Sequence, residues 1–292
     1  MRSRGILVSV AIAAAAIGAG CVAPFMEPLE ESLVFRPRPI DEQHLKSLSA
    51  GGRIEEVRLT TPDGYNLHGW LKRPDRWKPG KPHPLVIVYA GVGQEVSEFV
   101  PLAHTDGEWG WLMINYRGFG LSQGSPSERT VLSDAKLVYD WARARPDIDG
   151  GNIVVLGRSL GSYVAIAVAA ARKVRAAILA TPFDSAAALG EQYFHGLPLG
   201  WLVQGRYNPA LMAPSVSAPA LFVLAEKDAV TPVKNGLALA KRWGGLAKTV
   251  LLAGAGHSGV EGRAEYWNSI GDFLAALDTP VATSAAGSST SR

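Results

Sequence analysis

Cysteine is almost absent from this chain: Cys21 is the only one in 292 residues. A lone thiol forms no internal disulfide, so the fold must hold by its packed core, even in an oxidising compartment. Charge is also sparse. Charged residues make up 19% of the chain and nearly balance, leaving a formal net charge of +3 to which Arg2 and Arg4 contribute. No stretch interleaves basic and aromatic residues, which argues against nucleic acid as a partner. Histidine, cysteine and carboxylates do not cluster at ligand spacing, so no metal is expected. No glycine-rich loop is followed by Lys-Ser or Lys-Thr, so no phosphate cradle and no cofactor are expected. No internal repeat is visible. What the chain does have is apolar residue, 47% of it, with 32 glycines and 19 prolines. That suits one large α/β domain in which many short loops join strands to helices.

The longest apolar run comes first. Arg2 and Arg4 precede Gly5 to Gly20, which is built of Ile, Leu, Val, Ala and Gly with one Ser. A basic start, an apolar stretch and then small residues read as an export signal over residues 1–20. Ile17-Gly18-Ala19-Gly20-Cys21 resembles the lipobox of bacterial lipoproteins, whose cysteine is lipidated, although Gly18 stands where Leu is usual. Lipidation at Cys21 is the favoured expectation, and it would tether the protein to the membrane of a bacterial cell envelope. A plain cleaved signal and an uncleaved anchor are the alternatives. Residues 21–50, with Pro24, Pro28, Pro37 and Pro39, read as an irregular tether. Residues 279–292 are Ala, Ser, Thr and Gly, too small and polar to pack, and are expected to be disordered.

Between these ends, over residues 51–278, strands and helices alternate. Arg53 to Thr60 and Tyr65 to Arg73 flank the turn Thr61-Pro62-Asp63-Gly64 and read as an antiparallel hairpin. Leu85 to Tyr89, Trp111 to Tyr116 and Ile153 to Leu156 read as buried strands. Ala176 to Ala180, Ala220 to Ala225 and Thr249 to Leu252 read as further strands. Ser127 to Arg145 and Ser162 to Arg172 have helical spacing. The pattern predicts a mostly parallel sheet with helices on both faces, and active residues at the carboxyl ends of its strands. Residues 183–217 interrupt the alternation with Tyr193, Phe194, Trp201 and Tyr207, and are expected to form a small cap over those ends.

The chemistry begins at Gly157-Arg158-Ser159-Leu160-Gly161, where the Ile153 strand breaks into a helix. A serine at such a turn is held exposed and strained, as a nucleophile for acyl groups needs. A second match, Gly120-Leu121-Ser122-Gln123-Gly124, is followed by Ser125 and Pro126 with no helix, so Ser122 reads as a loop residue. The serine needs a base. Of the six histidines, His257 follows the last strand among glycines, while His44, His68, His83, His104 and His195 fall in other contexts. The base needs an acid between Ser159 and His257 in the chain. Asp228, after the Ala220 strand and before Pro232, is first choice, with Glu226 and Asp184 as alternatives. A negative oxygen developing on the substrate needs two backbone donors. Leu160, next to the nucleophile, and Val92, in Ala90-Gly91-Val92-Gly93-Gln94, are the candidates.

These contexts, with Asn115-Tyr116-Arg117-Gly118-Phe119-Gly120, resemble the α/β-hydrolase superfamily over about Arg53 to Leu277. The branch they resemble contains small serine hydrolases: the α/β-hydrolase-domain depalmitoylases and their bacterial relatives. The resemblance implies an α/β-hydrolase fold and hydrolysis of a small or lipid-like acyl ester or thioester through an acyl-enzyme on Ser159. Two positions depart from it. Ala90 stands where relatives have His before Gly, and Asn115 where they have Asp before Tyr-Arg-Gly. A peptidase of acyl-peptide or prolyl type, and a non-catalytic envelope binding protein on the same fold, are the rival readings.

Overall fold

A computed structural model of the protein describes residues 34–49, 53–103, 107–193 and 206–278. The expected signal (1–20), Cys21, the first part of the tether, His104, His195 and the tail (279–292) lie outside the described residues.

The hairpin forms as the turn chemistry predicts: β1 (Ile54–Thr60) pairs antiparallel with β2 (Asn66–Lys72). Thr61 and Tyr65 close the turn, and Gly64 supplies its left-handed residue at φ 89°. The other strands are β3 (His83–Tyr89), β4 (Gly110–Ile114), β5 (Ile148–Arg158), β6 (Ala176–Ala180), β7 (Ala220–Ala225) and β8 (Ala247–Leu252). The eight strands lie in the order β1-β2-β4-β3-β5-β6-β7-β8. Only β1–β2 and β2–β4 pair antiparallel; every pair from β4 to β8 is parallel. The architecture is the α/β-hydrolase sheet, and the continuous apolar strands follow from burial on both faces.

Alternation along each strand sorts its side chains into two cores. Leu85, Ile87 and Tyr89 of β3, with Ile153 and Val155 of β5, meet Val131, Ala135 and Val138 of α2 (Glu128–Ala144) and Val164 and Val168 of α3 (Leu160–Ala171). Val86, Val88, Val154 and Leu156 point the other way, to Tyr266, Trp267, Ile270 and Phe273 of α7 (Ala264–Asp278). α2 starts where the sequence says it should. Ser127 caps it, with Ser127 and Thr130 each bonding the other's backbone N–H. Among the described residues, the remaining α-helices are α1 (Glu42–Ser49), α4 (Ala186–Tyr193), α5 (Pro209–Met212) and α6 (Val233–Lys241). Among the described residues, no helix is long and apolar enough to cross a membrane.

The expected tether, residues 21–50, is not irregular throughout: its second half belongs to the domain. Phe35 is 2% exposed in the first core, Leu48 of α1 is buried in the second, and Asp41 accepts from the N–H groups of Gln43 and His44 to start α1. The prolines that suggest a loose linker instead stiffen a strap. The Arg36 N–H donates to the Val92 carbonyl at 2.9 Å and the Gly120 N–H donates to the Arg38 carbonyl at 2.8 Å.

Candidate active site

Ser159 sits between β5 and α3 with φ 53° and ψ −118°, left-handed backbone that a non-glycine residue rarely adopts. Such a conformation costs on the order of 1–3 kcal/mol and persists only where the surroundings impose it. Here they do. The Ser159 N–H donates to the Ala180 carbonyl of β6 at 2.9 Å, and the Ser162 hydroxyl donates to the Ser159 carbonyl at 2.6 Å. The flanking glycines are obligatory for packing. A Cβ on Gly157 would lie 2.1 Å from the Gly161 oxygen, and one on Gly161 1.9 Å from the Tyr89 oxygen.

Loops after β7 and β8 bring the other two predicted groups to the same rim. The Ser159 Oγ lies 3.1 Å from His257 Nε2, and His257 Nδ1 lies 2.8 Å from Asp228 Oδ2. The Asp228 carboxyl is fully engaged. One oxygen accepts from the N–H groups of Val230 and Thr231, and the other also accepts from the Thr231 hydroxyl at 2.9 Å. Burial pushes this carboxyl up, but the hydrogen bonds from His257 and Thr231 outweigh it and hold Asp228 below the usual carboxylate range. The group therefore stays a carboxylate, able to fix the imidazole with its proton on Nδ1. The alternatives are engaged elsewhere. Glu226 accepts from the Gly254 N–H, Asp184 accepts from Asn235 and the Ser185 N–H, and the buried Ser122 hydroxyl accepts from the His68 N–H and donates to the Asn115 carbonyl.

A cavity of about 790 Å³ opens over these groups, lined by Ser159, Leu160, Val92 and His257. Phe183, Ala186, Leu189 and Tyr207, from the described parts of the expected cap, also line it. Neither the Val92 nor the Leu160 N–H has a hydrogen-bond acceptor among the described residues.

A network that the sequence reading missed ties the site together. Arg158, next to Ser159, is 7% exposed. One of its terminal nitrogens donates to the His257 carbonyl at 2.6 Å, and the other lies 3.2 Å from His257 Nε2. Its Nε stands 2.8 Å from Glu261 Oε1, an ion pair without the alignment of a hydrogen bond. Glu261 in turn accepts from the Gln94 amide at 3.2 Å, and Gln94 accepts from the Gly91 N–H at 2.9 Å. The loop carrying Val92 is thus fixed by Gln94 from within and Glu261 from outside. Support for the loop that follows Ala90 comes from these two side chains. The only sequence signal was the position of Arg158 inside the Gly-x-Ser-x-Gly run. Asn115 is explained too. Its amide donates to the buried Glu95 carboxylate at 2.5 Å and its oxygen accepts from the Val96 N–H. An aspartate there would set two buried carboxylates face to face.

Comparison with known proteins agrees with this architecture. The family model for TAP-like proteins, an α/β-hydrolase group, matches residues 187–285, which include Asp228 and His257. The Mycobacterium tuberculosis protein Rv2307c is 29% identical over 252 residues, spanning 86% of this chain and 88% of its own. The α/β-hydrolase domain-containing protein WAV2 of Arabidopsis thaliana is 33% identical over 136 residues, 45% of this chain and 43% of its own. Among solved structures, an esterase from Pyrococcus furiosus superposes with a TM-score of 0.63 over 84% of this chain and 97% of that one, at 20% identity, a likeness of fold. The strand order, the strained serine turn, the family model over residues 187–285 and a partial relative named for its α/β-hydrolase domain lead to one assignment: the chain belongs to the α/β-hydrolase superfamily.

Proposed function

We propose that the protein is a serine hydrolase that cleaves carboxylic esters or thioesters. The reading rests on one observation above all, the unbroken chain of contacts from Ser159 Oγ through His257 to Asp228 at 3.1 and 2.8 Å. In this reading His257 Nε2 takes the Ser159 proton as Oγ attacks the carbonyl carbon. Asp228 holds the ring and stabilises the imidazolium. The carbonyl oxygen, now negative, is met by the N–H groups of Leu160 and Val92. Leu160 begins α3, so the positive end of that helix adds to the stabilisation. The imidazolium then protonates the leaving alcohol or thiol, the C–O or C–S bond breaks, and an acyl-enzyme remains. Water, activated by His257, releases the acid and regenerates Ser159.

Full-length protein is expected to hydrolyse 4-nitrophenyl esters and to be labelled by a fluorophosphonate probe. Ser159→Ala is expected to lose both while keeping its circular dichroism spectrum and Tm. Undiminished turnover in that variant would refute the assignment of the nucleophile. Full-length protein that resists labelling although folded would favour the non-catalytic binding reading.

A further inference from the structure

Apart from the His257–Asp228 pair, the charged side chains that line the cavity are Arg36, Arg38, Arg158, Glu98 and Glu261. Arg38 pairs with Glu98 at 3.2 Å, and Arg158 with Glu261 at 2.8 Å. Arg36 has no carboxylate partner among the described residues. Its placement follows from the sequence Phe35-Arg36-Pro37-Arg38-Pro39. Each proline drives the residue before it into extended backbone. Residues two apart on extended backbone project to the same side, and both arginines do line the cavity.

The strap is not free to drift. Phe35 anchors it in the core, and its backbone is bonded to Val92 on one side and Gly120 on the other. The Arg36 side chain therefore starts one hydrogen bond away from the loop assigned to the substrate oxygen. Much of the remaining lining is apolar, including Val34, Leu160, Phe183, Leu189 and Val230. An apolar surface with a guanidinium that no described carboxylate pairs, carried on a strap anchored at its rim, fits a molecule with a hydrocarbon part and one negative group. A guanidinium's forked donors match the paired oxygens of a carboxylate or phosphate.

We propose that the substrate is an ester bearing a second, anionic group, a carboxylate or a phosphate, which Arg36 binds beside the scissile carbonyl. The proposal rests on the hydrolase reading above. The anion is a spectator: water still adds across the ester, giving an acid and an alcohol.

Two matched pairs test it with the full chain. In 4-nitrophenyl hexanoate and the mono-4-nitrophenyl ester of adipic acid, the charge sits on the acyl side. In 1-octanoylglycerol and 1-octanoylglycerol 3-phosphate, it sits on the leaving side. The charged member of at least one pair is expected to show a kcat/KM about tenfold higher, declining as salt rises from about 0.05 to 0.5 M. Arg36→Gln is expected to erase that preference, lowering kcat/KM on the charged member about tenfold more than on the neutral one. Equal rates within both pairs, or an equal loss on charged and neutral esters in the variant, would overturn the proposal. Calorimetric binding of both pairs to Ser159→Ala, with and without Arg36→Gln, separates this from failure of the catalytic reading. Tighter, Arg36-dependent binding of the charged member of either pair supports the anion site whether or not esters are turned over, and equal binding within both pairs sinks it.

Discussion

At the scale of single residues, Asp228 is the group whose surroundings speak most clearly. Its side chain is inaccessible to solvent, four hydrogen bonds end on it, and its carboxyl is held ionised. Replacing it by asparagine keeps the shape but removes the acceptor that fixes the proton on Nδ1. Asp228→Asn is expected to lower kcat by about 10³–10⁴-fold with little change in KM. Glu226→Gln, whose carboxylate only bonds the Gly254 N–H, is expected to stay within about twofold. Steady-state kinetics on one ester distinguishes the two. Equal losses would mean that the acid has been assigned to the wrong residue.

At the scale of elements, the site is a meeting of loops, and what matters is how the loops hold one another. Arg158 grips the His257 loop, Glu261 bridges Arg158 to Gln94, and Gln94 closes the Val92 loop on itself. Glu261→Gln weakens the ion pair without removing volume. If the network positions the oxyanion donors and the base, this change is expected to lower kcat about tenfold and leave KM nearly unchanged, because donors aimed at the transition state act there and not in the ground state. A rise in KM alone would assign Glu261 to substrate binding. The strap of residues 34–49 is also an element of the site. It contributes Phe35 to one core, Leu48 to the other and a backbone bond to the Val92 carbonyl, so the domain proper begins before β1.

At the scale of the molecule, several buried or half-buried carboxylates are ionised by their neighbours. The hydrogen bond from Arg145, opposed by burial and helped by Arg73, lowers Asp147 to about 2. Burial pushes Glu55 up, yet Arg73 and Arg145 bring it down on balance, as His257 and Thr231 do for Asp228. Their folded-state values lie below those of the unfolded chain. Their stabilisation is therefore complete above about pH 4–5 and is lost as pH falls through the folded values. Burial also holds the His68 and His83 imidazoles below their usual range, so the unfolded chain takes up protons there first. Thermal melts are expected to show a Tm that begins to fall below about pH 6.5 and drops more steeply between pH 4 and 2. A Tm that rises on acidification would contradict this. We propose that the whole molecule is held at a bacterial membrane by a lipid on Cys21. Metabolic labelling with an alkyne fatty acid is expected to mark the native chain and not Cys21→Ser, and the variant is expected to leave the membrane fraction. Labelling that survives the substitution would place the lipid elsewhere.

The local code carried a good deal. Continuous apolar runs marked strands that are covered on both faces. Thr61-Pro62-Asp63-Gly64 marked the hairpin, Ser127 marked a helix start, and glycines marked the turn where no side chain fits between β5, α3 and Tyr89. These features are set by neighbours in the chain, and a sequence displays its neighbours. The order of loops after β5, β7 and β8 was also enough to single out Ser159, Asp228 and His257, because parallel strands put all their carboxyl ends on one rim. The tertiary structure alone decided what meets across that rim. Arg158 with Glu261, Glu261 with Gln94, Asn115 with Glu95 and the strap with Val92 join residues 20 to 167 positions apart or on separate loops. No periodicity encodes such pairings. They exist only once the sheet has brought distant loops within the reach of a hydrogen bond, which is why prolines that looked like slack in the sequence turned out to stiffen one wall of the site.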